Sequence, residues 1–433
     1  MLVDRLSLKD FKCFEEVDIE FGKITLLTGA NSSGKSSLIY ALLGIMQSRH
    51  FPEFFALNGK LVNMGGFEDV IRKGSNTKKF EISFGADLKK YITCWTNNEI
   101  KDQPQLIEWI YENEHIKKHV IENELNNKEE ITLIITKKAF AERIEELKEE
   151  FKLGIEWTDE EDEIFKNNTF IEIKEVLDKF VIKYELEYRS SLKSMIFNEG
   201  LPSFYLSDWH PDFNYLGSFR LPPERTYYRR PNSEVVGVNG EGYLDQIIEW
   251  EETNDKLFNE FLDEVRVLGL FHNIESNKMK GGRFEFNVQV NPKSALSSLT
   301  DVGFGISQFL PIIVADFQLY AGCLAVSQPE IHLHPRIQAT LGDYFARQIK
   351  KTEKQYIVET HSEYLINRLR LLIVKGELNP EDVKLYYMEN DGDKTTTYKI
   401  ELTTDGQIKN APQGFFDTYE MDVMDIALFA SAQ

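Results

Sequence analysis

The chain has 433 residues, 42% of them hydrophobic and 28% charged, an ordinary globular balance with length for about three domains. Lys and Arg number 50 against 71 Asp and Glu, a net charge of −21, which excludes a protein whose whole surface coats nucleic acid. Cys13, Cys94 and Cys323 are far apart, which excludes a disulfide framework and predicts a reducing cytoplasm, and no apolar run reaches the length of a membrane span.

In chain order, residues 1–30 read as strands. Leu2, Leu6 and Leu8 alternate with polar residues, as do Val17, Ile19 and Phe21, and the run from Ile24 to Leu27 is short and buried, ending at Gly29. The stretch from Ser37 to Met46 is apolar and too long for a typical strand, which predicts a buried helix. Residues 50–95 alternate turn signals with strand-like runs such as that from Phe80 to Phe84. From about 98 to 190, Glu, Lys and Asn dominate and apolar positions recur at helical spacing, predicting an inserted helical arm with an acidic surface. Residues 200–235 are rich in Pro, Arg and aromatics, 243–272 look helical, and the run from Arg283 to Val290 alternates as a strand. The last third switches between apolar runs, at Cys323 to Val326, Tyr356 to Val358 and Val383 to Met388, and helical patterns, the rhythm of an α/β domain.

One motif decides the class. Residues Gly29-Ala30-Asn31-Ser32-Ser33-Gly34-Lys35-Ser36 form a complete phosphate loop, with an apolar strand before it and a helix from Ser37 after it. The glycines let backbone N–H groups curl around phosphate, with Asn31, Ser32, Ser33, Gly34 and Ser37 in the cradle. Lys35 brings a positive charge to the terminal phosphates, Ser36 offers a hydroxyl to Mg²⁺, and the helix N-terminus adds its dipole. The chain is therefore expected to bind ATP with Mg²⁺.

Three further strings follow in order. They are Leu299-Thr300-Asp301-Val302-Gly303-Phe304-Gly305-Ile306-Ser307-Gln308, the run Leu324-Ala325-Val326-Ser327-Gln328-Pro329-Glu330-Ile331-His332-Leu333-His334-Pro335, and Tyr356-Ile357-Val358-Glu359-Thr360-His361-Ser362. This arrangement resembles the ABC-type ATPases of the SMC, RecF and overcoming-lysogenisation-defect group. The strings Tyr215-Leu216-Gly217 with Arg220 and Pro223, Gly303-Phe304-Gly305-Ile306-Ser307-Gln308, Pro329-Glu330-Ile331-His332-Leu333-His334-Pro335 and Gly414-Phe415-Phe416-Asp417 together add a likeness to ATPase subunits of bacterial anti-phage systems such as Septu, PARIS and retron-linked modules.

The resemblance implies an α/β fold, an ABC-type P-loop ATPase head of two lobes, here with a helical insertion. Residues 1–97 would carry the first part of the head, 98–195 the insertion, and 196–433 the signature turn, Walker B strand and switch histidine. It implies that Gly305 and Ser307 complete the nucleotide site of a second copy in a head-to-head dimer, and that His361 faces the γ-phosphate. The sequence departs from the group at the end of the Walker B strand. Two acidic residues are usual there, one acting through Mg²⁺ and one polarising the attacking water. Here they are Ser327 and Gln328. Either the protein binds ATP tightly and hydrolyses it slowly, or Glu330, just beyond Pro329, takes over the role.

Other residues carry competing readings. His332 and His334 would suit a metal pair, but without a third ligand nearby they read as loop residues. Arg220, Arg225, Arg229 and Arg230, with Tyr227 and Tyr228, would grip nucleic acid or pair with acidic protein surfaces. Gln47, soon after the phosphate-loop helix, is the glutamine considered for the lid position of such heads. The function implied is a cytoplasmic ATPase that dimerises on ATP and acts as sensor or scaffold of an anti-phage system. Its partners would be itself and a separate effector, a nuclease or toxin, with no membrane. The alternatives are a DNA-repair ATPase of the RecF or SMC kind binding DNA across the dimer, and a scaffold with a vestigial nucleotide site.

Overall fold

The computed structural model describes residues 2–48, 51, 54–86, 89–98, 103–112, 116–123, 128–136, 170–172, 213–229, 235–319, 321–412 and 415. The strands are β1 (Val3–Phe11), β2 (Phe14–Glu20), β3 (Ile24–Gly29), β4 (Lys79–Ala86), β5 (Lys89–Asn98), β6 (Gln103–Glu112), β7 (Ile116–Asn123), β8 (Lys128–Thr136), β9 (Phe170–Glu172), β10 (Phe213–Leu216), β11 (Tyr227–Tyr228), β12 (Asn273–Lys278), β13 (Arg283–Gln289), β14 (Ser297–Ser298), β15 (Gly322–Ser327), β16 (Lys354–Glu359), β17 (Val383–Asn390), β18 (Thr395–Leu402) and β19 (Ile408–Lys409). The helices are α1 (Lys35–Gln47), α2 (Phe67–Val70), α3 (Tyr243–Thr253), α4 (Asp255–Val267), α5 (Phe304–Gln318), α6 (Pro335–Lys351) and α7 (Glu363–Val374).

The central sheet runs β10-β15-β16-β3-β17-β18-β19, and β10, β15, β16, β3 and β17 are parallel. Every residue of β3, β10, β15 and β16 is buried, as expected of strands covered on both faces. The pleat sorts their side chains between two cores. Leu26, Leu216, Leu324, Val326, Tyr356 and Val358 face a layer built from α3 to α7. Leu27, Tyr215, Ala325, Ile357 and Met388 face α1 and the antiparallel sheet. That second sheet runs β2-β1-β4-β5-β6-β7-β8-β9 and forms the other lobe. A small sheet of β11, β13, β12 and β14 flanks the helical layer.

Behind the site, α5 is tied to the sheet by a buried polar knot. Fully buried Asp316 accepts a hydrogen bond from Tyr356 Oη at 2.8 Å and another from Tyr344 Oη. Lys354 Nζ donates to the Asp316 carbonyl at 2.7 Å and pairs with its carboxylate at 3.3 Å.

The expected helical arm is corrected where it is described. Residues 103–112, 116–123 and 128–136 form the strands β6, β7 and β8, and 170–172 form β9. Glu and Lys content suggested helix, but these segments carry β-branched and aromatic residues, as in Leu106-Ile107-Glu108-Trp109-Ile110-Tyr111 and Ile131-Thr132-Leu133-Ile134-Ile135. Such side chains favour a pleated, half-buried surface. The rest of 98–195 lies outside the described residues, as does Gly414-Phe416-Asp417 apart from Phe415. Among the described residues no helix is long and apolar enough to cross a membrane.

Candidate functional site

The site forms where β3, β15 and β16 end, the place where open parallel sheets bind ligands. The phosphate loop leaves β3 at Gly29, whose φ is 139° and whose added Cβ would meet the Met388 carbonyl oxygen at 2.1 Å. Gly34 adopts φ 99° as the residue before α1, where a Cβ would meet Cys13 Sγ at 2.6 Å. Both positions demand glycine, because no L side chain tolerates that backbone and that crowding together. The loop is buttressed from β18, where Thr395 Oγ1 donates to the Ser33 carbonyl at 3.0 Å.

Lys35 is buried, and its ammonium donates to the carbonyls of Gly29 at 3.1 Å and Ala30 at 2.7 Å and to Ser33 Oγ at 3.4 Å. Burial holds its pKa below the ordinary lysine value, and the Glu359 charge opposes that shift. Asn31 and Ser32 form the exposed rim of the loop, and Ser33 is buried. Ser36 and Ser37 open α1, so free backbone N–H groups point at the loop mouth.

The sequence reading missed the carboxylate nearest Ser36. Ser36 Oγ donates to Glu359 at 3.0 Å (Oε1) and 3.2 Å (Oε2), across 323 positions of sequence. Ser327 Oγ donates to Glu359 Oε2 at 2.9 Å. Glu359 ends β16, which is central between β15 and β3. It is in register with Ser327 on one side and Leu27 on the other. The only sequence signal is an acid that ends the apolar run Tyr356-Ile357-Val358.

His361 sits in a short, pinned turn. The Thr360 amide donates to the Leu27 carbonyl at 2.9 Å, the His361 amide to Glu330 Oε1 at 2.7 Å, and Ser362 caps α7 by accepting from Leu365 N at 3.2 Å. The imidazole is held below its usual pKa first by partial desolvation and then by the Lys35 charge.

Glu330 is buried, and burial raises its carboxyl above the ordinary glutamate pKa, against the pull of the His361 amide. Gln328 bends the chain with φ 50°, its amide donating to the Glu359 carbonyl at 2.7 Å. Arg220 stands behind this bend. Its Nη2 donates to the carbonyls of Ser327 at 2.7 Å and Gln328 at 3.2 Å, and burial pushes its pKa down to about 10. Tyr215 Oη lies 3.2 Å from Ser327 Oγ.

The structure thus brings together Lys35, Ser36, Glu330 and His361, with Gln328 at the bend. Gly305 and Ser307 pack within their own chain. A Cβ on Gly305 would meet the His332 carbonyl oxygen at 2.5 Å, so α5 packs closely on the loop after β15 of its own chain. Ser307 is buried, and its hydroxyl donates to the Phe304 carbonyl at 2.8 Å, within its own helix. Asp301, Gly303 and Phe304 are the residues this turn exposes.

Three further groups of residues that carried competing readings are placed as follows. His334 Nδ1 accepts the Arg336 amide at 3.2 Å to cap α6, while the His332 ring meets Phe304 edge-on at 4.9 Å. Among the described residues no group of three His, Cys, Asp or Glu stands ready for a metal. The arginines do not share one surface: Arg220 is buried, Arg225 pairs with Asp301 at 2.9 Å, and Arg229 with Glu252 at 2.7 Å. Arg230 lies outside the described residues. Gln47 holds the following loop, donating to the Ala56 and Val62 carbonyls at 2.8 and 3.2 Å and accepting from Leu61 and Val62 amides.

The donor set at Ser36 is a hydroxyl and a carboxylate, both hard oxygen ligands. It fits Mg²⁺, which commonly takes one or two protein oxygens and completes its shell with water and nucleotide phosphates.

No curated protein matches this chain. Among solved structures, the chain is similar to an SMC head domain from Thermotoga maritima at 12% identity and TM-score 0.38, covering 93% of this chain and 100% of that one. It is also similar to an SmcHead bound to the C-winged helix domain of ScpA, at 14% and 0.44, covering 93% and 99%. A third, an Smc head domain with an extended coiled coil bound to the C-terminal domain of ScpA derived from Pyrococcus furiosus, aligns at 14% and 0.43, covering 98% and 99%. A model described as a protein of unknown function (DUF3696) matches residues 378–426. The model of the AAA ATPase domain matches residues 1–366, which contain the phosphate loop, both strand ends and the His361 turn described above, and the chain belongs to that ATPase family.

Proposed function

We propose that this chain is a cytoplasmic, Mg²⁺-dependent ATPase of slow turnover that engages a second copy when nucleotide is bound. In this reading it serves as the sensor or scaffold subunit of an anti-phage system and controls a separate nuclease or toxin. The observation that carries slow turnover is at the end of β15. Ser327 and Gln328 stand where a carboxylate pair is expected, and the next acid, Glu330, is buried and bonded to the His361 amide. A site of this kind holds triphosphate well, and its nearest base is a buried carboxylate held by its bond to the His361 amide, which slows turnover. The anti-phage assignment rests on the resemblance of the strings around Arg220, Gly305 and His334 to such ATPase subunits.

The test has two arms. Expressed with its native neighbouring genes, the protein should protect cells in a phage plaque assay, and Lys35→Ala should abolish that protection. The DNA-repair reading is weakened by the pairing of Arg225 and Arg229 with carboxylates of the same chain. DNA binding by the purified protein that falls steeply with salt, without plaque protection, would replace the anti-phage reading with the repair one.

A further inference from the structure

The ATPase reading leaves one chemical question at the metal. In the resembling group the acid that acts through Mg²⁺ ends the Walker B strand, and here that position is Ser327. A serine brings no negative charge to a divalent cation.

We propose that Glu359, at the end of the adjacent strand β16, supplies the acidic group of the Mg²⁺ shell that Ser327 lacks. Three observations carry this, and the proposal rests on the ATP-binding reading. First, Ser36 is the phosphate-loop hydroxyl assigned to the metal, and both Glu359 carboxylate oxygens lie within 3.2 Å of its Oγ. Second, Ser327 and Glu359 are paired in register on neighbouring parallel strands, and the Ser327 hydroxyl donates to Glu359 Oε2 at 2.9 Å. The negative charge has moved one strand sideways at the same height, and the serine left behind orients it. Third, Glu359 is buried at 5% exposure, and its charge acts on the Lys35 ammonium, so it belongs to the electrostatics of the phosphate site.

The alternatives near the loop fit less well. Glu330 accepts the His361 amide, and no hydroxyl of the phosphate loop is bonded to it. Asp301 is paired with Arg225. Glu359 acts on the ion directly or through a bound water; both give the same sign of effect.

A carboxylate beside Ser36 repels bare triphosphate and attracts the metal complex. Replacing Glu359 by Gln, which keeps the size and a hydrogen-bonding oxygen, should therefore move two quantities in opposite directions. ATP affinity in EDTA should rise, and the gain in affinity on adding Mg²⁺ should shrink by about 10- to 100-fold. A merely structural role would lower both. The measurement is titration of a fluorescent ATP analogue in EDTA and in Mg²⁺, with Mn²⁺ binding followed by electron paramagnetic resonance as an independent readout. Restoring the group-typical placement, by Ser327→Asp combined with Glu359→Ser, should recover the Mg²⁺ gain. Glu330→Gln should keep it.

The proposal is overturned if Glu359→Gln retains the wild-type Mg²⁺ gain, if its EDTA affinity falls, or if Glu330→Gln loses the gain while Glu359→Gln keeps it. Failure of the wild-type protein to bind the analogue in either buffer would instead overturn the ATP-binding reading itself.

Discussion

Glu330 and His361 are joined by a 2.7 Å hydrogen bond from the histidine amide to the carboxylate, which links the loop after β15 to the turn after β16. The bond leaves the His361 imidazole available to the site while it fixes one oxygen of Glu330.

This link makes Glu330 the side chain expected to set whatever rate the isolated chain has. A proton acceptor near the attacking water contributes about 10²- to 10⁴-fold. Glu330→Gln should therefore reduce steady-state phosphate release by that order and leave ATP binding intact. The base works ionised, and burial raises its pKa above 4.5, so turnover should rise with pH through a limb lying higher than that of an exposed glutamate. Gln328→Glu raising the rate by about ten-fold, with Glu330→Gln neutral, would show that the site lacks a base altogether.

Lys35 is the charge offered to the terminal phosphates. Its removal should weaken ATP by about 2–3 kcal/mol, roughly two orders of magnitude in Kd. Isothermal titration checks this, and an unchanged affinity in Lys35→Ala would end the phosphate-loop assignment. The fold should survive, because the ammonium bonds only carbonyls of its own loop and Ser33 Oγ.

Self-association should run through the residues this face exposes. Phe219 is 89% exposed beside Arg220, and Phe304 is 44% exposed beside His332. Exposed aromatics near a site are anchors suited to a second protein surface. Phe219→Asp with Phe304→Asp should abolish the ATP-dependent increase in sedimentation coefficient while leaving ATP affinity of the monomer unchanged. Ser307→Arg, by contrast, should disturb folding, because Ser307 is buried in α5.

Asp316 should matter for stability and little for chemistry. Asp316→Ala leaves buried Lys354 without its carboxylate and strands the Tyr344 and Tyr356 hydroxyls. Breaking a buried pair in this way costs about 3–5 kcal/mol, so thermal unfolding should shift strongly downward. ATP affinity measured well below that transition should be close to wild type.

The sequence by itself determined what is local. The phosphate loop carries its chemistry in consecutive residues, so its glycines, Lys35 and Ser36 were legible as a unit, and the apolar runs at Ile24, Cys323 and Tyr356 marked central strands because both their faces are buried. Charge content points β6, β7 and β8 toward helix, and these strands find their partners only in a sheet that continues from β4 and β5. The tertiary structure decided what depends on pairing. Glu359 meets Ser36 across 323 positions because β16 lies between β15 and β3, and no spacing along the chain encodes that neighbourhood. Arg220 left the expected basic surface for the same kind of reason: β10 pairs with β15, which brings its loop behind the Ser327 bend, where two backbone carbonyls need a donor.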